Sequence, residues 1–145
     1  MPRQPDLKAA CEGGLRPFGA PLLLVDSVTE APGHAPGQVV VSGSHAGASV
    51  VRYALAAQAR LAVFNDAGIG KDEAGVAALA ALQAAGVAAC AVAHSSARIG
   101  EARSTFEDGV LSRANALAQA LGAVPGLRLR DWLSAAAAES SPDRR

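Results

Sequence analysis

Aromatic side chains are nearly missing from this chain: one tryptophan, one tyrosine and three phenylalanines in 145 residues. A core without large rings must close through small side chains at high packing density. Cysteine is rarer still. Cys11 and Cys90 are the only two, too few for a disulfide framework. Cys90 lies in an apolar run and reads as a buried small hydrophobe. An excess of charge of either sign is also missing, since 13 basic and 13 acidic residues cancel. Tight phosphate binding needs a clustered basic surface, so no nucleic-acid partner is expected. No stretch carries the sustained large apolar residues of a membrane span, so no membrane association is expected. Met1 to Ala10 holds Pro2, Pro5, Asp6 and Lys8 and has no apolar run of a secretory signal. These absences point to a cytoplasmic protein. No repeat at a solenoid period is visible.

What the chain does have is small apolar residues. Hydrophobic residues make up 50% and charged residues 18%, and alanine supplies about half of the hydrophobic total. That is too apolar for disorder and long enough for one real core. Residues 1–18 read as a flexible N-terminal segment, free or folded over a site as a lid. Residues 19–138 read as a single α/β domain and 139–145 as a disordered tail.

Within the domain an apolar run, a small polar loop and a helical stretch recur. Leu22–Val25, Val39–Val41, Leu61–Phe64 and Val87–Ala93 are short apolar runs of strand type. Ala48–Ala59 predicts a helix with an apolar face through Val51, Leu55 and Ala59. Asp72 reads as the N-cap of the next helix, and Gly86 as its stop. A third helix is expected from about Phe106 to Leu121, with Gly122 ending it. Thr105 and Asp108 have capping-box spacing before it. Leu127–Leu129 reads as an edge strand or as the start of a last helix through Trp132. Strands separated by helical stretches predict a three-layer α/β/α fold with a small, mostly parallel sheet of four or five strands. The proline-rich link from Leu22–Val25 to Val39–Val41 is the exception. It predicts either an antiparallel pair or an irregular crossover.

Open parallel sheets bind ligands beyond the carboxyl ends of their strands. Three polar loops fall there, beginning at Ser42, Asn65 and His94. In the first, Gly43 and Gly47 allow close backbone approach. Its amides open a helix and could hold an anion. Ser44 between Ser42 and Ala46 meets the steric demand of a nucleophile turn, without the G-x-S-x-G pattern. Ser44 or Ser49 could equally cap the helix. His45 adds an imidazole. The second loop holds Asn65, Asp66, Lys71 and Asp72 around Gly68 and Gly70. The phosphate-loop spacing fails there. Asp66 directly follows its strand and is the preferred acid/base or hydrogen-bonding group. Lys71 could neutralise a substrate anion or pair with a neighbouring aspartate. The third loop offers His94 for proton transfer, Arg98 as an anion clamp, and Ser95 and Ser96 as polar contacts.

His45, Asp66 and His94 form a chemically reasonable ligand set, yet no local H-x-x-x-H pair supports it, and no metal or cofactor is assigned. The expectation is a small enzyme of hydrolase, lyase or isomerase type acting on a small anionic metabolite. Asp66, His94, Ser44 and His45 would do the chemistry. Ser42, Gly43, Gly47, Asn65, Lys71, Ser95, Ser96 and Arg98 would bind the substrate. A noncatalytic module for a nucleotide or phosphorylated metabolite would use the same groups. The alanine-rich helices suit close packing against another copy, so a homo-oligomer, even one completing the site from a partner chain, is also expected.

Overall fold

The computed structural model of the chain describes residues 15–140. The expectations made for residues 1–14 and 141–145, Cys11 among them, lie outside the described residues. Five strands form one sheet: β1 (Leu22–Val25), β2 (Val39–His45), β3 (Leu61–Asn65), β4 (Ala88–Val92) and β5 (Leu111–Ala114). They lie side by side in sequence order. The first four run parallel, and β5 is antiparallel to β4. Among the described residues there are five α-helices: α1 (Val51–Ala57), α2 (Ala77–Ala84), α3 (Ala102–Asp108), α4 (Ala116–Ala120) and α5 (Leu129–Ser140). No described helix is long and apolar enough to cross a membrane.

The strands read as continuous apolar runs because both faces of the sheet are covered. Leu22, Leu24, Val39, Val41, Leu61, Val63, Cys90 and Val92 face one layer, where Phe106 of α3, Ala118 of α4, and Trp132 and Leu133 of α5 pack. Leu23, Val25, Val40, Ala62, Phe64, Ala89 and Ala91 face the other, built from α1, α2 and a 3-10 turn at Val28–Gly33. Alternate residues along each strand serve opposite layers, as the period of two requires. This is the three-layer α/β domain that the sequence implies.

Cys90 sits at the centre of β4 with no exposure. Burial pushes its thiol up to about 12. A thiolate is the reactive form. In a Cys11→Ala background, native protein at pH 8 should therefore show no thiol reactive to a disulfide reagent. The thiol should appear in full once urea unfolds the chain. Prompt labelling of the folded protein would contradict this packing.

Several local expectations are corrected. Of the two forms expected for the β1–β2 link, the irregular crossover is the one present: the strands are parallel and joined through Val28–Gly33. The helix after β2 faces the sheet with Val50, Ala54 and Ala57, so Leu55 points outward and is 39% exposed. Asp72 is not a cap. It lies with Glu73 in left-handed conformation inside a 3-10 turn at Lys71–Val76, and α2 begins at Ala77. Gly86 does stop α2. Its positive φ lets its amide reach the Gln83 carbonyl and the Val87 amide reach that of Leu82, the Schellman arrangement.

The expected helix over 106–121 is instead the end of α3, the strand β5 and the short α4. Gly109 follows α3 where a Cβ would collide with the Thr105 carbonyl. Thr105 and Asp108 are not a capping box, because the helix starts earlier, at Ala102, whose amide is met by Asp26 Oδ1. Of the two roles expected for Leu127–Leu129, the start of the last helix is the one present: α5 begins at Leu129, and Arg128 makes only an isolated bridge to Val110 instead of an edge strand. Residues 15–18, expected in a flexible segment, instead belong to the domain. Pro17–Gly19 forms a 3-10 turn, and the Phe18 ring meets Trp132 of α5 edge-on at 5.5 Å.

Candidate functional site

The connections that leave β1, β2 and β3 all cover one face of the sheet, whereas α3, which follows β4, covers the other. The chain therefore parts to opposite sides between the carboxyl ends of β3 and β4, where open α/β sheets form a crevice. A solvent-open cleft of about 740 Å3 lies there. Its walls are Asn65 at the end of β3 and Ala67 after it, the loop His94–Ile99 after β4, Glu101 ahead of α3, and Ser104 and Asp108 within α3.

Asn65 ties the two loops together. It is fully buried; its amide nitrogen donates to the Ala97 carbonyl at 3.2 Å and its oxygen accepts from the Ala67 amide at 2.7 Å. Asp66 sits beneath the cleft and is 3% exposed. One carboxylate oxygen, Oδ1, accepts from the amides of Gly68 at 2.8 Å and His94 at 3.0 Å. The other, Oδ2, accepts from the Ser112 hydroxyl at 2.7 Å. Burial alone would raise this carboxyl group, but these bonds, the Ser112 hydroxyl foremost, together with the His94 ring, hold it below its ordinary value. Asp66 is therefore a carboxylate at neutral pH.

His94 reverses that burial. Its ring is 61% exposed, lines the cleft, and turns Nδ1 toward Asp66 Oδ1 at 3.4 Å. A carboxylate at that side favours the tautomer with the proton on Nδ1. Nε2 is then left as the acceptor. The ring also lies over Gly68, where a Cβ would touch it. The loop beneath is unusual: Ala67, Ile69, Asp72 and Glu73 all have positive φ, as do Gly68 and Gly70. For a β-branched residue such as Ile69 this conformation is strained, and strain of this kind gathers at functional sites.

Of the residues singled out in the sequence, Asn65, His94, Ser95, Ser96 and Arg98 line this cleft and Asp66 supports it. Ser96 also braces the loop, donating to the Ala93 carbonyl and accepting from the Val110 amide. Arg98 is exposed and approaches Glu101 at 3.9 Å. The first loop does not join the lining. β2 runs on through it to His45, so Ser42 is buried and donates to the Val63 carbonyl at 2.9 Å. Ser44 Oγ accepts from the Val28 amide, and His45 Nδ1 accepts from the Gly47 amide. Gly43 is required by packing, because a Cβ would run into the backbone at Gly100 and Glu101. Lys71 is exposed and outside the lining. Among the described residues no group of three or more His, Cys, Asp or Glu is placed to hold a metal, so His45, Asp66 and His94 do not form a ligand set.

Four contributors escaped the sequence reading: Ser104, Ile99, Glu101 and Ser112. Glu101 and Ser104 gained their place through α3 starting at Ala102, and Ile99 is 54% exposed at the cleft. Ser112 is on a strand that the sequence pattern concealed.

Comparison with known proteins returns nothing that bears on this site: no family model, no curated protein and no solved structure matches the chain.

Proposed function

We propose that the chain is a small enzyme that moves a proton on a small anionic metabolite bound in the cleft between β3 and β4. The observation that supports this is the pairing of a buried, ionised Asp66 with an exposed His94 at the cleft wall. A carboxylate behind Nδ1 holds an imidazole with Nε2 free to accept a proton and stabilises the imidazolium that results. Arg98 is the cationic side chain placed to take the anionic end of the substrate. Its exposed contact with Glu101 is of a kind worth little, so a ligand can displace it. Hydrolase, lyase and isomerase chemistry each make use of such a transfer. A cytoplasmic location and association with a second copy belong to the same proposal, the latter on the exposed Leu55 of α1. Light scattering tests it.

The test is a thermal-shift screen against small carboxylates and phosphates. Binding at a hundred times the Kd stabilises by about 2.7 kcal/mol. The metabolite found should raise Tm by several degrees, and Arg98→Ala should remove most of that rise. His94→Ala should fold normally, within about 0.5 kcal/mol, because the ring is exposed. It should still bind the metabolite but lose turnover by at least about a hundredfold. If the wild type returns the bound metabolite unchanged, the noncatalytic module is the correct reading. If no anion shifts Tm, both readings fail.

A further inference from the structure

We infer that Ser112 is a positioning residue of this site, aiming the Asp66 carboxylate at the His94 ring from a strand that does not line the cleft. The inference rests on the reading of His94 as the proton-transfer group. Its basis is geometric. Ala91 of β4 is opposite Arg113 of β5, while the next residue, Val92, is opposite Leu111. Ser112 is the extra residue in that step, so β5 carries a bulge there. A bulge re-aims a side chain that strict alternation would place elsewhere, and bulges gather beside active sites. Here the result is a hydroxyl that reaches across β4 to a residue following β3.

The hydroxyl has one proton and two acceptors in reach, Asp66 Oδ2 at 2.7 Å and the Ala91 carbonyl at 3.5 Å. The shorter bond takes the proton. Among the hydrogen bonds of the described residues, Ser112 is the only partner of Oδ2, whereas Oδ1 takes two amides and faces the ring. The two amides and the hydroxyl grip the carboxylate from opposite sides and set its rotation. Without the hydroxyl, Oδ2 has no anchor and the group can swivel about its last bond. Oδ1 would then leave the line to Nδ1. A merely structural serine would brace β5 against β4 and leave the ring indifferent to its loss.

The experiment is nitrogen-15 spectroscopy of the His94 ring, assigned with His94→Gln, at a pH where the ring is neutral. In the wild type the Nδ1–H tautomer should predominate. In Ser112→Ala the ratio should shift roughly fivefold toward the Nε2–H form, the effect of losing one hydrogen bond. Ser112→Thr keeps the hydroxyl and should restore the wild-type ratio. Ser112→Cys, close in size but a weak donor, should behave like Ser112→Ala and serves if the alanine variant does not fold. A ring spectrum unchanged in the alanine or the cysteine variant overturns the inference. The measurement needs no substrate. An unchanged ring therefore leaves proton transfer by His94 to the ligand screen, and a changed ring stands even if that screen fails.

Discussion

Replacing Asn115 by alanine should remove about 3–4 kcal/mol of stability, a large fraction of what a domain of this size has. The side chain is buried at the junction of β5 and α4. Its oxygen accepts from the amides of Ala89 at 3.1 Å and Ala118 at 3.0 Å. Its nitrogen donates to the carbonyls of Leu79 at 3.1 Å and Val87 at 3.0 Å. One amide thus caps α4 and also joins the start of β4 to α2. Alanine would leave two amides and two carbonyls short of a partner, and the N-cap alone accounts for about 1 kcal/mol. Asn115→Asp should be nearly as damaging at pH 7, because a carboxylate has no proton to offer the two carbonyls. Urea unfolding of both variants checks this. A loss below about 1 kcal/mol in Asn115→Ala would mean that water replaces the amide, and that the junction is looser than its geometry implies.

Asp66→Ala should cost about 3 kcal/mol at neutral pH, since it strands the Gly68 and His94 amides and the Ser112 hydroxyl. Asp66→Asn should be milder, about 1.5 kcal/mol. An asparagine oxygen can keep the two amides, and the Ser112 hydroxyl can turn to accept from its nitrogen. The pair separates shape from charge. Asp66 has a folded-state pKa below its ordinary 3.8, so the native protein binds this proton less readily than the unfolded chain does. The contribution of its charge is complete well above pH 3.8 and is lost as pH falls through the native value. The stability gap between wild type and Asp66→Asn should therefore narrow as pH falls below 3.8. A gap that ignores pH would show that the carboxylate is held by shape alone.

Much of the sheet can be located from the sequence because strands covered on both faces stand out as apolar runs between polar loops. Leu22–Val25 is bounded identically in sequence pattern and structure. Asn65 and His94 could be found because each directly follows a buried run. The same rule misplaced Ser42, Ser44 and His45, because β2 carries polar residues inside its last turns of pleat and so hides where it ends. The stretch from 106 to 121 misled for a different reason. Ala116, Leu117 and Ala118 are helix formers, and they continue the periodicity of α3 across β5. The counter-signal was Asn115 ahead of them, a residue that starts helices better than it continues them. Ser112 had no sequence signal at all. Its partner lies 46 positions away, and a one-residue bulge brings them together.

The order of the strands has a consequence for how the chain assembles. Leu22 pairs with Val39, Val39 with Leu61, and Leu61 with Ala88. Each new strand joins the one made just before it, and each step closes a loop of roughly 20 residues, a modest entropic cost. No strand waits for a distant partner to be inserted beside it. The parallel part of the sheet can grow one strand at a time from the amino end, so emergence from the ribosome and addition to the sheet follow the same order.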